Sequence, residues 1–413
     1  MSDNIYQKYP ASVQHGKPRL KPLKEGWNRL SIRDLVEEVS RPVVMEDDEL
    51  YTLVTAKRSR GGIVEREKLK GRDIAVKNQF YIQEGDFLIS KRQIVHGACG
   101  FVPKQLDGAI VSNEYLVLKL TDKIIPEFWS FLSHTILFQQ ICFHSSIGVH
   151  IEKMLFKVEQ WYQWKINIPR LEEQEKIASF LGAVDTRLNQ LRRKREHLQT
   201  YKRGVMQKLF SQQIRFTQAD GSPFPDWEKK KLGSISEKPQ YGLGASAIKF
   251  DGKHKYIRIT DIDENTHCFT PNPLTSPDSG ISPDYQLQDN DLVLARTGAS
   301  VGKSYLYKKE DGEIYFAGYL IRFRITKADA KFVYYLTLTE KYNKWVFINS
   351  MRSGQPGINA EEYSNFSFFL PCKKEQKKIV PFLTTIDHKI ETLSRKIDQT
   401  EQFKKGLLQK LFV

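Results

Sequence analysis

The chain has 413 residues and a formal net charge of +15. That length exceeds one ordinary core and calls for two or more domains, while 40% hydrophobic and 27% charged residues are the balance of a globular protein. Its apolar runs are too short to cross a bilayer, and the basic excess points to a polyanionic partner, most often nucleic acid.

In chain order, residues 1–25 form a polar, partly basic arm without the apolar centre of a signal peptide. Residues 26–167 form a first globular domain. It opens with GWNRL (26–30) and carries a basic, Gly-rich stretch, TAKRSRGG (55–62). The period-2 patterns of DFLIS and EYLVLKL predict strands joined by Gly-rich turns. EFWSFLSHTILFQQICF (127–143) predicts one helix. The domain closes on WKINIP (164–169).

Residues 168–211 follow as a long helix. Ile177, Val184, Leu191, Leu198 and Val205 recur every seven residues, interleaved with Leu181, Leu188, Arg195, Lys202 and Leu209. Alternating steps of three and four over about five heptads predict coiled-coil packing along a helix of roughly 60 Å. Arg195 and Lys202 occupy seam positions, where a polar residue usually fixes register.

A second domain spans 212–369 and repeats the first loosely. DWEKKKL (226–232) answers GWNRL, and NDLVLARTGASVGKSYLY (290–307) answers GDFLISKRQIVHGACGFVP (85–103). SGQPGIN (353–359) answers SSIGVHI (145–151), and FSFFLP (366–371) answers WKINIP. KFVYYLTLTEKYNKWVF (331–347) is again expected as one helix. Gly302-Lys303-Ser304 ends like a phosphate-binding loop, but Gly298 and Gly302 enclose three residues where such a loop needs four. The first domain keeps glycines there and lacks Gly-Lys-Ser, so the shared element reads as a hairpin turn.

Residues 370–413 form the second long helix, with a seam of Ile379, Ile386, Leu393, Thr400 and Leu407 interleaved with Leu383, Ile390, Ile397, Lys404 and Leu411. Residues 168–210 and 370–412 align without a gap and share 17 identities over 43 positions, far above chance. Pro381 stands where the first copy has Ser179, which predicts that the second helix starts, or kinks, near Val380. The fold class is thus α+β: two mixed, strand-rich domains, each followed by a long helix. The second domain must leave the end of one helix and reach the start of the other, which favours antiparallel pairing with approximate two-fold symmetry.

The repeated EQEKIASFLGAVDTRL with KRGVMQKLF, and EQKKIVPFLTTIDHKI with KKGLLQKLF, each behind a strand ending in Pro169 or Pro371, resembles the specificity subunit of type I restriction–modification systems over essentially the whole chain. The GDFLIS and TGASVGK elements look like that family's target-recognition domains. The resemblance implies a non-catalytic, cytoplasmic subunit whose two domains each read one half of a split, asymmetric site in double-stranded DNA. The helices would space the halves and seat two DNA adenine methyltransferase subunits, to which motor-nuclease restriction subunits can be added. S-adenosylmethionine, ATP and Mg would belong to those partners, and the chain itself would need no cofactor and no metal.

The physical reading agrees. The two helices carry ten of the fifteen excess positive charges, so they are candidates for contact with phosphates or a partner. Candidate DNA contacts in the first domain are Lys57, Arg58 and Arg60 beside flexible glycines, and Lys91, Arg92 and His96 before the hairpin. In the second they are Lys253 and Arg258, Arg296 and Lys303 flanking the hairpin, and Arg352. Enzymatic alternatives, a DNA methyltransferase or a nucleotide-dependent DNA enzyme, lack their motifs. TPNPLTSP (270–277) has neither the second proline nor the aromatic of an amino-methyltransferase loop. PDWEKK (225–230) compresses nuclease-like letters into one stretch too short to build a site. A purely structural coiled-coil adaptor is disfavoured by two unequal, Arg-bearing domains. Cys99, Cys142, Cys268 and Cys372 are widely spaced and form no CxxC pair, so free thiols are expected, and His267-Cys268 reads as a loop coincidence.

Overall fold

The computed structural model describes residues 18, 20, 22–351 and 354–412, so the expected N-terminal arm lies mostly outside the described residues. The chain divides into two compact units: residues 1–192 with 395–413, and residues 193–394. Each 40-residue helix, Leu171–Phe210 and Lys373–Phe412, therefore supplies turns to both units.

In the first unit, Trp27–Ser31 pairs antiparallel with Lys165–Pro169, joining the two ends of the globular domain. Behind it lies a four-stranded sheet in the order Val36–Glu38, Tyr115–Leu120, Phe87–Ser90, Cys99–Phe101. The Phe87–Ser90 strand is buried throughout, as a central strand covered on both faces should be. A second four-stranded sheet runs Ile63–Lys70, Leu50–Ala56, Ile110–Ser112, Gln79–Tyr81.

The second unit repeats the frame. Glu228–Lys231 pairs with Ser367–Leu370, and a four-stranded sheet runs Gln240–Tyr241, Leu320–Arg324, Asp291–Ala295, Ser304–Leu306. In place of the second four-stranded sheet it has two separate pairs. Ala247–Lys249 lies against Thr275–Pro277, and Lys255–Ile257 runs parallel to Ile314–Phe316.

The paired motifs GD and ND enter the central strands by the same device. Gly85 and Asn290 take positive φ, a conformation these two residue types tolerate best. The next residue, Asp86 or Asp291, accepts a backbone N–H from Gln83 or Gln288 at 2.8 Å. Each buried carboxylate is then held by a two-pronged arginine: Arg41 on Asp86 at 2.7 and 3.1 Å, and Arg324 on Asp291 at 2.8 and 3.0 Å.

Two expectations are corrected. Each aromatic-rich stretch forms two helices: Pro126–Ser133 and Ile136–His144 in one unit, Ala330–Thr337 and Glu340–Ser350 in the other. A threonine starts the second helix each time, Thr135 accepting from Phe138 N and Thr339 from Tyr342 N, so a capping residue divides an unbroken apolar pattern. The second long helix begins at Lys373, eight residues before Pro381. Its first turns are anchored by buried Glu375 and Gln376, and Pro381 lies on the exposed face, where the freed Lys377 carbonyl can take water.

Within each unit the long helices pack antiparallel. In the first, Asp185 accepts from Lys404 Nζ at 2.6 Å and Glu401 accepts from Arg192 at 2.6 Å, so one helix ascends as the other descends. In the second, Lys202 meets Asp387 at 2.6 Å. Ile177, Leu181, Leu188, Leu191, Leu209, Ile379, Leu383, Ile386, Leu393 and Ile397 are buried. Val184, Leu198, Val205, Ile390, Leu407 and Leu411 are half-buried. The same helices close the domain cores, with the Phe412 ring packed at a tilt 4.9 Å from that of Phe128, and Phe210 likewise 5.2 Å from Phe332. Among the described residues, no helix is long and apolar enough to cross a membrane.

Candidate nucleic-acid interface

The EQ pair that opens each long helix locks it to the globular domain. Trp27 Nε1 donates to Glu173 at 3.1 Å, and Trp227 Nε1 donates to Glu375 at 2.9 Å. Gln174 donates to the carbonyls of Pro169 and Lys123 and accepts from Ile125 N. Gln376 donates to Pro371 O and accepts from Asp329 N. Both glutamines are buried with their polar atoms engaged, which makes the joint directional rather than merely greasy. In the second unit Arg215 adds two bonds to Glu375, at 2.8 and 3.2 Å.

On this frame the two basic elements of the first domain lie side by side. The turn after Leu50–Ala56 donates from Ser59 N to His96 O at 2.7 Å and from Arg60 N to Gly97 O at 2.9 Å. Lys57 is exposed and its side chain has no partner among the described residues. Arg58 is exposed but paired with Glu152 at 2.8 Å. Arg60 turns inward, donating from Nε to Ser133 O at 3.1 Å, and burial pulls its pKa below the usual guanidinium value. Lys91 donates to Asn113 O at 3.0 Å, and Arg92 is exposed in a two-pronged pair with Glu114. His96 is only 3% exposed and faces Glu152 at 3.4 Å, so it supports the turn rather than offering itself to a ligand.

In the second domain Asp291–Ala295 and Ser304–Leu306 form the expected hairpin, with Gly298 and Gly302 at positive φ in its turn. A strand, not a helix, follows Lys303, whose Nζ points back to Ile262 O at 3.1 Å and Glu264 at 3.6 Å; this is no phosphate cradle. A Cβ on Gly302 would lie 2.6 Å from Val346, which is why glycine stands there. Tyr342 and Tyr363 hydroxyls donate to Gly302 O and Ala295 O, pinning the hairpin to the helices behind it.

Arg296 lies over the ring of Tyr241 at 4.9 Å, and its backbone N–H bonds Tyr319 O. Tyr319 is 65% exposed. This arginine with two accessible rings is a grouping that the charge pattern alone did not reveal. Lys253 is exposed and its side chain unpaired among the described residues, whereas Arg258 is engaged by Asp261 at 2.8 and 2.9 Å. Arg352 lies outside the described residues.

The seam lysines also have partners. Lys202 lies over Tyr335 at 5.2 Å while pairing with Asp387; Lys404 lies over Phe131 at 5.5 Å while pairing with Asp185. Both aspartates and both lysines are identical between the repeats, and that identity was the signal available. Burial pushes the Cys99 thiol up to about 12, and all four cysteines are free thiols. Among the described residues no His, Cys, Asp and Glu group could hold a metal ion.

Two unlike strand-rich heads built on one frame, each sealed by one helix's first turns and the other's last, define a duplicated recognition scaffold. The Type I restriction modification DNA specificity domain family matches residues 24–199 and again 225–402. The chain belongs to that family and is a DNA-specificity subunit, a non-catalytic member of a restriction–modification complex that works on DNA with partner subunits. It is 26% identical over 418 residues to the type I restriction enzyme MjaVIII specificity subunit of Methanocaldococcus jannaschii, covering 94% of this chain and 92% of that one. Two solved structures share the fold. One is a chain from a type I R-M system studied for its assembly and conformational transition (TM-score 0.60, 17% identity, 94% of this chain and 98% of that one). The other is the type I S subunit of M. genitalium (TM-score 0.57, 15% identity, 96% and 99%).

Proposed function

We propose that each head reads one half of a bipartite, asymmetric site in double-stranded DNA. The long helices set the interval between halves and seat two DNA adenine methyltransferase subunits, which bring S-adenosylmethionine. Motor-nuclease subunits join that assembly for restriction, in the cytoplasm. The observation that carries this reading is a shared frame with two different outer parts: an intact four-stranded sheet beside Lys57 and Arg58 in one head, two separate strand pairs and an Arg296–Tyr241 stack in the other. Readers of different sequences on one mount would be built this way. Half-buried Arg296, its guanidinium over Tyr241, and exposed Lys57 are the favoured base-edge or phosphate contacts, followed by Arg58, Arg92 and Lys253.

Mapping methylated adenines with the reconstituted complex tests it. Exchanging residues 26–167 for another family member's head should change one half-site and leave the other half intact. Arg296→Ala should relax the half-site read by the second head, with discrimination falling by about 1–3 kcal/mol at one position. Methylation by this chain alone, without a methyltransferase subunit, would refute the reading.

A further inference from the structure

The duplication supplies an internal comparison of which exposed residues the helices retain. Seam and core positions persist for reasons of packing; an exposed side chain without an intramolecular partner has no such reason. Most exposed positions diverge in the first half of each helix: Glu172 faces the solvent where the second copy has Lys374, Glu175 answers Lys377, and Asn189 answers Glu391. Lys176 is kept as Lys378, which donates to Thr217 O, and Arg187 keeps its charge as Lys389. Divergence has therefore had time to act. In the second half a larger share of the exposed chemistry persists, although His197, Gln199 and Thr200 answer Gln399, Glu401 and Gln402. Lys194, Tyr201 and Lys208 stand in one copy, Lys396, Phe403 and Lys410 in the other, all exposed.

Each trio steps by seven residues, so it forms a stripe on one helix face, with neighbours about 10 Å apart. Tyr201 is 53% and Phe403 54% exposed, and none of the six side chains has a hydrogen bond, ion pair or ring contact among the described residues. An aromatic left in water between two lysines fits an apolar pocket rimmed by carboxylates, and the matching trio on the other helix fits a second copy of that pocket.

We propose that Tyr201 and Phe403 are equivalent anchors, each the centre of one seat for the same acidic-rimmed protein. Resting on the function proposed above, that protein is the methyltransferase subunit. The seam lysines Lys202 and Lys404 are excluded from this role because Asp387 and Asp185 already hold them.

Native mass spectrometry of the full chain with the purified methyltransferase subunit of the same system tests the assignment. The wild-type chain should carry two copies, Tyr201→Ala one, Phe403→Ala one, and the double variant none, each lost seat weakened at least about tenfold. Gln190→Ala with Thr392→Ala, exposed positions that differ between copies, should keep both, and thermal melts should show every variant folded. If the double variant still binds two copies at wild-type affinity, the anchors are wrong while the wider function stands. If the wild-type chain binds none, the wider function fails and takes the anchors with it. Loss of DNA binding by the partner-free double variant, with stoichiometry unchanged, would assign the stripes to DNA and overturn the proposal.

Discussion

The two heads differ least where they meet the helices and most where they leave them. At the joint, tryptophan, glutamate, glutamine and a terminal phenylalanine recur with the same partners: Trp27–Glu173 and Trp227–Glu375, Phe128–Phe412 and Phe332–Phe210. Away from it, one head carries a complete four-stranded sheet and the other two strand pairs. A mount must be rigid and can be copied unchanged. A reader must differ, so its strands are free to regroup once the central hairpin is secured.

The largest test of this contrast is the removal of a joint aromatic. Phe128 and Phe332 are both fully buried, so Phe128→Ala and Phe332→Ala should each cost about 3–5 kcal/mol. Hydrogen exchange should lose protection in the first unit for one variant and in the second for the other. Equal loss throughout the chain would show that the units unfold together.

Next comes an asymmetry hidden inside the repeat. Glu375 is fully buried and holds both Arg215 and Trp227, whereas Glu173 is half-buried and accepts from Trp27. Glu375→Ala leaves the buried Trp227 N–H unpaired and takes the charge partner from half-buried Arg215, and should cost about 2–3 kcal/mol. Glu173→Ala should cost about 1 kcal/mol. Denaturant melts of the two variants measure the difference, and equal losses would mean that the arginine contributes little.

These two joints show what sequence can and cannot carry. The long helices, their seam and their antiparallel pairing within each unit were legible because a seven-residue period survives in two copies and the chain has to return. The hairpins were legible because their glycines recur while a phosphate loop's spacing does not. The helix breaks at Thr135 and Thr339 were not, because the apolar pattern runs straight through a cap that shows itself only in a backbone N–H to hydroxyl bond. Nor was the pairing of Trp27 with Glu173, whose partners lie 146 residues apart. Charge pattern overstated the interface. Arg60, His96, Arg258 and Lys303 look like surface cations in one dimension, yet each is turned inward or engaged by the fold.

A smaller contrast concerns the seam pairs. Asp387 accepts from Tyr335 at 2.6 Å as well as from Lys202, and burial first, then Asp387, holds the Tyr335 phenol above its ordinary pKa. The first unit has Phe131 at the corresponding place, with no hydroxyl to give. Asp387→Asn should therefore cost about 1–2 kcal/mol and Asp185→Asn about 0.5–1 kcal/mol, read from thermal shifts.

The smallest effects belong to the free surface lysines. Lys57 and Lys253 sit one in each head, exposed and without side-chain partners among the described residues, so alanine at either should leave the melting temperature unchanged. A lysine on a phosphate weakens all sequences alike and lowers the salt dependence of binding by about one ion, because one fewer counterion is released. Both variants of the reconstituted complex should show that pattern, measured by titrating specific and scrambled DNA at several salt concentrations. If Lys57→Ala instead weakens only the cognate sequence, the first head reads a base edge through its Gly-rich turn, and the basic loop beside the intact sheet becomes the counterpart of Arg296 over Tyr241.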